Sequence, residues 1–124
     1  MSKIPSDDAF ARAKRRMKER DRNMDRVNDV FREYFKKICS DRAHDSHIMA
    51  EDNFMFRAYI FFNKIKDVQV CEESGVSSQL QQFVYEELER QGRGNRNSMV
   101  VSFEFDSDEN VQASFEGDYY LRMR

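Results

Sequence analysis

The stretch VVSFEFDSDENVQASFEGDYY, residues 100–120, decides how the chain is read, because its apolar and polar side chains alternate in two runs. Successive side chains of a strand point to opposite faces, so Val101, Phe103 and Phe105 share one side, and Val111, Ala113 and Phe115 face back in the return run. Ser107 to Asn110 then supply the turn of a β-hairpin. With the phenylalanines inward, Ser102, Glu104, Asp106, Gln112, Ser114 and Glu116 face outward, Asp108 and Glu109 sit at the tip, and Asp118 lies just beyond. Six carboxylates are thus gathered between Glu104 and Asp118, with no Lys or Arg between Met99 and Leu121. Folding requires only the apolar face, so the charged face is the candidate for function.

Upstream, the loop GRGNRNS leads back to SQLQQFVYEELERQ, in which Leu80, Phe83, Val84 and Leu88 fall on one helical face. Ser78 followed by Gln81 reads as its capping box and Gly92 as its stop. Earlier still, FMFRAYIFFNKIKDVQVC is apolar on both sides of an extended chain, as expected of a central strand covered on each face. Asn63 and Lys64 offer a turn, and Val68 with Val70 continue as a second, antiparallel strand. The segment SDRAHDSH reads as a polar connector. Before it, Phe10, Met17, Met24, Phe31 and Ile38 recur every seven residues, with Ala13, Val27 and Tyr34 between them, predicting a helix from about residue 7 to about 39. Ser6 is its expected N-cap, with Asp7 and Asp8 in the first turn.

The second half of that helix has a face wide enough to pack on a sheet, whereas RAKRRMKERDRNMDR is mostly charge. The division is therefore a charged helical extension over 1–22 that projects or frays, and a single α+β domain over 23–124. The expected architecture is an antiparallel sheet of about four strands with helices packed on one face, in the order α-ββ-α-ββ.

A chain of 124 residues has room for one core, and 40% apolar with 35% charged residues is a globular composition. No run of about 18 apolar residues is present and the first residues have no apolar stretch of a signal peptide, so the expectation is a cytoplasmic protein with no membrane partner. Cys39 and Cys71, far apart and without CxxC spacing, read as reduced core residues. Charge is unevenly spread: residues 1–50 hold 13 Lys/Arg against 9 Asp/Glu, and residues 51–124 hold 8 against 14. Such a dipole bears on partners more than on fold.

Catalytic and metal chemistry find little support. Asp106, Asp108 and Asn110 match positions 1, 3 and 5 of an EF-hand loop, but Val111 stands where glycine is needed and Gly117 where a bidentate Glu is needed. His44 and His47 could share a metal on a helix, yet no Cys pair or HExxH pattern completes a site. QGRGNRN lacks Walker spacing, and no nucleophile elbow is present. The expectation is no enzyme activity, no metal and no cofactor. The basic run RAKRRMKERDR is the rival signal, since clustered Arg and Lys neutralise phosphates; interleaved acids from Glu19 onward favour a solvated helix face instead.

A helix, then FMFRAYIFF, a second helix SQLQQFVYEELERQ and a terminal SFEFDSDENVQASFEGDYY together resemble the YezG-like immunity proteins, bacterial antitoxins that protect a cell from toxins of polymorphic and contact-dependent growth inhibition systems. The resemblance covers roughly residues 27–120. It implies a non-enzymatic protein that binds and occludes a cognate toxin, a nuclease with a basic cleft being the fitting class. The partner-binding residues would be Glu104, Asp106, Asp108, Glu109, Glu116 and Asp118, with Tyr119 and Tyr120 as aromatic anchors. The alternative is a nucleic-acid-binding regulator that uses the basic N-terminal helix. A homodimer through the Phe10 to Ile38 stripe is compatible with either.

Overall fold

A computed structural model describes residues 7–124. Its elements are α1 (Asp7–Arg20), α2 (Met24–Cys39), β1 (Ala43–Ala50), β2 (Met55–Phe62), α3 (Ile65–Glu73), α4 (Val76–Arg90), β3 (Val100–Ser107), α5 (Asp108–Ser114) and α6 (Tyr119–Arg122). The class is α+β, with one mixed three-stranded sheet in the order β1-β2-β3. β1 and β2 pair antiparallel, with Ile48 opposite Ala58, while β2 and β3 pair parallel, with Tyr59 opposite Glu104.

This differs from four antiparallel strands in three places. Of the expected connector SDRAHDSH, residues 40–47, the part from Ala43 onward belongs to β1; as an edge strand it needs few apolar side chains, and only Ser46 and Ile48 of it are fully buried. Val68 and Val70, expected in a second antiparallel strand, lie in α3. Asp67 Oδ2 accepts from the Lys64 N–H at 3.1 Å and caps its start, and the chain needs a crossover to bring β3 in parallel to β2. Residues 111–115, expected as the return strand, belong to α5 and its end.

β2 is the middle strand and is covered on both faces, as its two-sided apolar pattern predicts. On the inner face Phe56, Ala58, Ile60 and Phe62 meet α2 and α4 through Val27, Phe31, Phe35, Leu80, Val84 and Leu88, all essentially buried. Fully burying each large apolar side chain is worth about 1.5–3 kcal/mol, so this layer carries most of the stability. Phe31 and Phe35 stack at 5.9 Å, and Phe35 meets Phe62 edge-on at 5.3 Å. Cys39 and Cys71 are free thiols buried in the same core, and burial pushes Cys39 up to about 12. On the outer face Tyr59 and Phe61 are covered by Val111, Phe115, Tyr119 and Met123. Helices therefore lie on both faces of the sheet, not one.

The continuous helix over 7–39 is broken. Asn23 takes a left-handed φ of 63°, and the turn around it is pinned to the loop after α4: Arg22 Nη2 donates to the Gly92 carbonyl at 3.1 Å and Asn23 Nδ2 to that of Gln91 at 2.9 Å. The buried Arg93 donates back to the Arg22 carbonyl at 2.9 Å while its guanidinium lies 5.0 Å from the Phe56 ring centre. The heptad stripe is consequently not a free dimer face. Met24, Val27 and Phe31 are in the core, and Phe10, Met17 and Ile38 are exposed. α1 itself has no buried residue, and the expected Ser6 cap lies outside the described residues.

Candidate interaction site at the C-terminal segment

β3 ends where Ser107 turns its side chain onto the next helix: its Oγ accepts from the Asn110 N–H at 3.0 Å, an N-cap that starts α5. Asp108 and Glu109 then sit in the first turn, where the helix dipole favours negative charge. Val111 and Phe115, four apart, share the helical face that covers Tyr59 and Phe61. At the end of α5 Glu116 (φ 54°) and Gly117 (φ 76°) are both left-handed, which reverses the chain into α6. At φ 76° an L side chain on residue 117 would be strained, which is why glycine stands there.

Arg122 of α6 returns over the sheet and meets the acids of β3. Its Nε donates to Asp106 Oδ2 at 2.6 Å and its Nη1 to Glu104 Oε1 at 3.3 Å. The guanidinium also stands 5.9 Å from the Tyr59 ring centre and 5.7 Å from that of Phe115. Burial opposes its charge, but Asp106 and Glu104 outweigh that and raise its pKa. Asp106 further accepts from Asn110 Nδ2 at 3.1 Å.

A second link runs through Asp108. It accepts from the Tyr119 hydroxyl, from Gln112 Nε2 at 3.2 Å, and faces His44 Nε2 at 3.5 Å. The Tyr119 hydrogen bond holds the Asp108 carboxyl below the usual range, whereas burial, then Asp108, pushes the Tyr119 hydroxyl up. Beneath these, Tyr59 donates its hydroxyl to the Met123 carbonyl at 3.1 Å. The network fastens α5 and α6 to the sheet.

The eight residues predicted to meet a partner therefore separate into two groups. Glu104 and Asp106 are engaged by Arg122, and Asp108 and Tyr119 by each other, so these four are tied into contacts within the chain. Asp118 accepts from the Leu121 N–H at 3.0 Å and caps α6, and Glu109 Oε1 accepts from the Ile65 N–H at 2.9 Å, yet both are exposed. Glu116 is exposed, and Tyr120 is 78% exposed beside Leu121 at 44%.

Arg122 is the residue that the sequence reading missed. It lies one position beyond the Lys- and Arg-free interval, and its helical offset from Asp118 and Tyr119 is the signal that would have placed it near them. His44 was missed for a different reason: a register shift in β1 at Ala43/Asp45 brings it to Asp108 and stacks it 5.8 Å from Tyr119.

At the margin of this segment Arg32, Asp45, His47, Phe61, Tyr119 and Met123 line an open hollow of about 190 Å³. That is below the roughly 300–1,000 Å³ of small-molecule sites and suits one side chain of a partner better than a substrate. Among the described residues no three His, Cys, Asp or Glu side chains are placed to hold a metal ion, and no helix is long and apolar enough to cross a membrane. Comparison with family models, curated proteins and solved structures finds no match to this chain.

Proposed function

We propose that the chain is a non-enzymatic immunity protein that binds a cognate bacterial toxin, a nuclease being the fitting class, and occludes it in the cytoplasm. The observation that carries this reading is the exposed Tyr120, with Leu121 beside it and the exposed acids Glu116 and Asp118 just before it. Aromatic side chains dominate interface energies, and an acidic surround speeds encounter with a basic partner. The residues locked by Arg122 act here as the frame that presents this corner. The resemblance to YezG-like proteins supports the same role.

The test is growth protection in cells expressing the toxin encoded next to this chain, together with binding of the purified pair. Tyr120→Ala combined with Glu116→Lys should lose protection and weaken binding by about tenfold or more, since central aromatic positions commonly cost 2 kcal/mol or more. Full protection and unchanged affinity would remove this corner from the interface. Both side chains are exposed, so a folding defect is not expected from either change.

A second reading, a nucleic-acid-binding regulator, is favoured by α1 alone. Arg12, Lys14, Arg15, Arg16, Lys18 and Arg20 lie on a helix with no buried residue. Gel shifts at rising salt decide it: retardation that disappears with salt and on deletion of residues 1–22 supports this reading, and no retardation at low salt rejects it.

A further inference from the structure

The two edges of the sheet are finished differently. In β1 the backbone groups of Ser46 and Ile48 point away from β2, and each is occupied by a side chain. Asn28 of α2 accepts from the Ile48 N–H and donates to its carbonyl, both at 2.8 Å, as a neighbouring strand would. Asp45 accepts from the Ser46 N–H at 2.8 Å, and Arg32 Nη2 donates to the Ser46 carbonyl at 3.3 Å. That edge is closed to pairing.

In β3 the Val100 N–H donates to the Phe54 carbonyl at 2.9 Å, so in the parallel ladder residues 100, 102, 104 and 106 bond inward and 101, 103, 105 and 107 point outward. The Val101 N–H finds the Tyr85 hydroxyl at 3.3 Å and the Ser107 N–H finds Asp106 Oδ1 at 2.7 Å. Among the described residues the outward N–H and carbonyl groups of Phe103 and Phe105 have no partner. Lys, Arg and Pro are absent from VVSFEF, and the one charge in it is Glu104. Val100 is 58% exposed, and Phe103 and Phe105 are only partly buried. Hollows of about 200 and 310 Å³ lie between Phe105 and α3, lined by Val68 and Glu72.

The geometry points to this edge as a self-association surface: β3 of one copy pairs antiparallel with β3 of a second copy about a two-fold axis at Phe103, giving a continuous six-stranded sheet. The sequence of β3 selects the occupant. Centred on Phe103, the register sets Phe103 against its own copy and Val101 against Phe105, so the apolar side matches itself, with the Val101 N–H exchanging the Tyr85 hydroxyl for the Phe105 carbonyl of the other copy. On the other side Ser102 falls opposite Glu104, and Val100 opposite Asp106, whose charge Arg122 already offsets. A register centred on Phe105 would instead set Glu104 against Asp106 twice, a like-charge pairing that disfavours it. A closed two-fold uses up the edge in each copy and stops at two. This inference is independent of any toxin, since it uses neither Tyr120 nor Glu116.

The experiment is sedimentation of the full chain across concentrations, with Ser102→Glu and Ser102→Lys as paired variants and amide hydrogen exchange as the local readout. Ser102 is exposed, so both variants fold, which circular dichroism checks. The expected result is a reversible dimer, weakened about tenfold by Ser102→Glu, which meets Glu104 of the other copy twice, and unweakened or tightened by Ser102→Lys. The Phe103 and Phe105 amides should exchange more slowly at high protein concentration than at low. A monomer at every concentration up to about 1 mM overturns the inference, as does a dimer on which the two variants act alike, or one in which those two amides are unaffected by concentration.

Discussion

The inner and outer faces of β2 are both apolar, but they are covered by different means. On the inner face α2 and α4 supply a broad, dry layer in which Val27, Phe31, Leu80, Val84 and Leu88 are fully buried. On the outer face α5 and α6, helices of 7 and 4 residues, bring only Val111 to full burial and rely on Arg122, Asp108 and Tyr119 to stay in place. Isolated helices of that length do not hold themselves together in water. The inner cover is held by area; the outer one is held by a few directed polar contacts, and should respond to single charges and to pH.

Three measurements test that contrast, in falling order of effect. Phe31→Ala opens a cavity in the inner layer and should cost about 3–5 kcal/mol, a large share of a domain's stability, seen as one cooperative loss in denaturant unfolding. A cost below about 1 kcal/mol would mean that the inner layer does not hold the fold. Arg122→Ala should cost less, about 1–3 kcal/mol, by leaving Asp106 and Glu104 without their partner. Its signature is local: faster amide exchange over 108–123 with α2 and α4 unchanged. Uniform acceleration across the chain would show that the two faces are one cooperative unit.

The smallest effect concerns pH. The Tyr119 pKa is raised on folding, so its contribution is complete below the unfolded value of about 10 and is lost as pH rises toward the folded one. The Asp108 pKa is lowered, so its contribution is present above the unfolded carboxylate value and is lost as pH falls through the folded one. Tyr119→Phe should therefore lower stability most across the neutral region, where both contributions are complete, and its curve should converge on that of the wild type toward acid and alkaline pH. Urea midpoints of wild type and variant that run parallel from pH 3 to pH 11 would break the assignment.

What the sequence disclosed follows the same division. Strand β2 and the buried faces of α2 and α4 were legible because wide apolar faces have one period each. The segment 111–115 was not, since Val111, Ala113 and Phe115 alternate like a strand while Val111 and Phe115 also stand four apart like a helix. The local arbiter was Ser107 with Asn110, a cap rather than a turn. In α3 Val68 and Val70 alternate like a strand while Val68 and the buried Cys71 stand three apart like a helix, and Val70 is exposed at 39%. β1 was illegible because its outward backbone is satisfied by Asn28 and Arg32 from another element, a tertiary arrangement with no local period. The internal partner of the β3 acids was not legible either: Arg122, four residues past Asp118, reaches Glu104 and Asp106 only through the fold.

The parallel pairing of β2 with β3 also sets a schedule for synthesis. β1 and β2 can zip together as soon as both have left the ribosome, but the far side of β2 waits for residues 100–107, which arrive about 2–8 s later at roughly 5–20 residues per second. During that interval MFRAYIFF, the most apolar strand of the sheet, presents an unpaired flank to the crowded cell. Translation speed through codons 63–99, and chaperone capture of chains stalled there, should therefore govern the yield of this protein more than the thermodynamics of its finished fold.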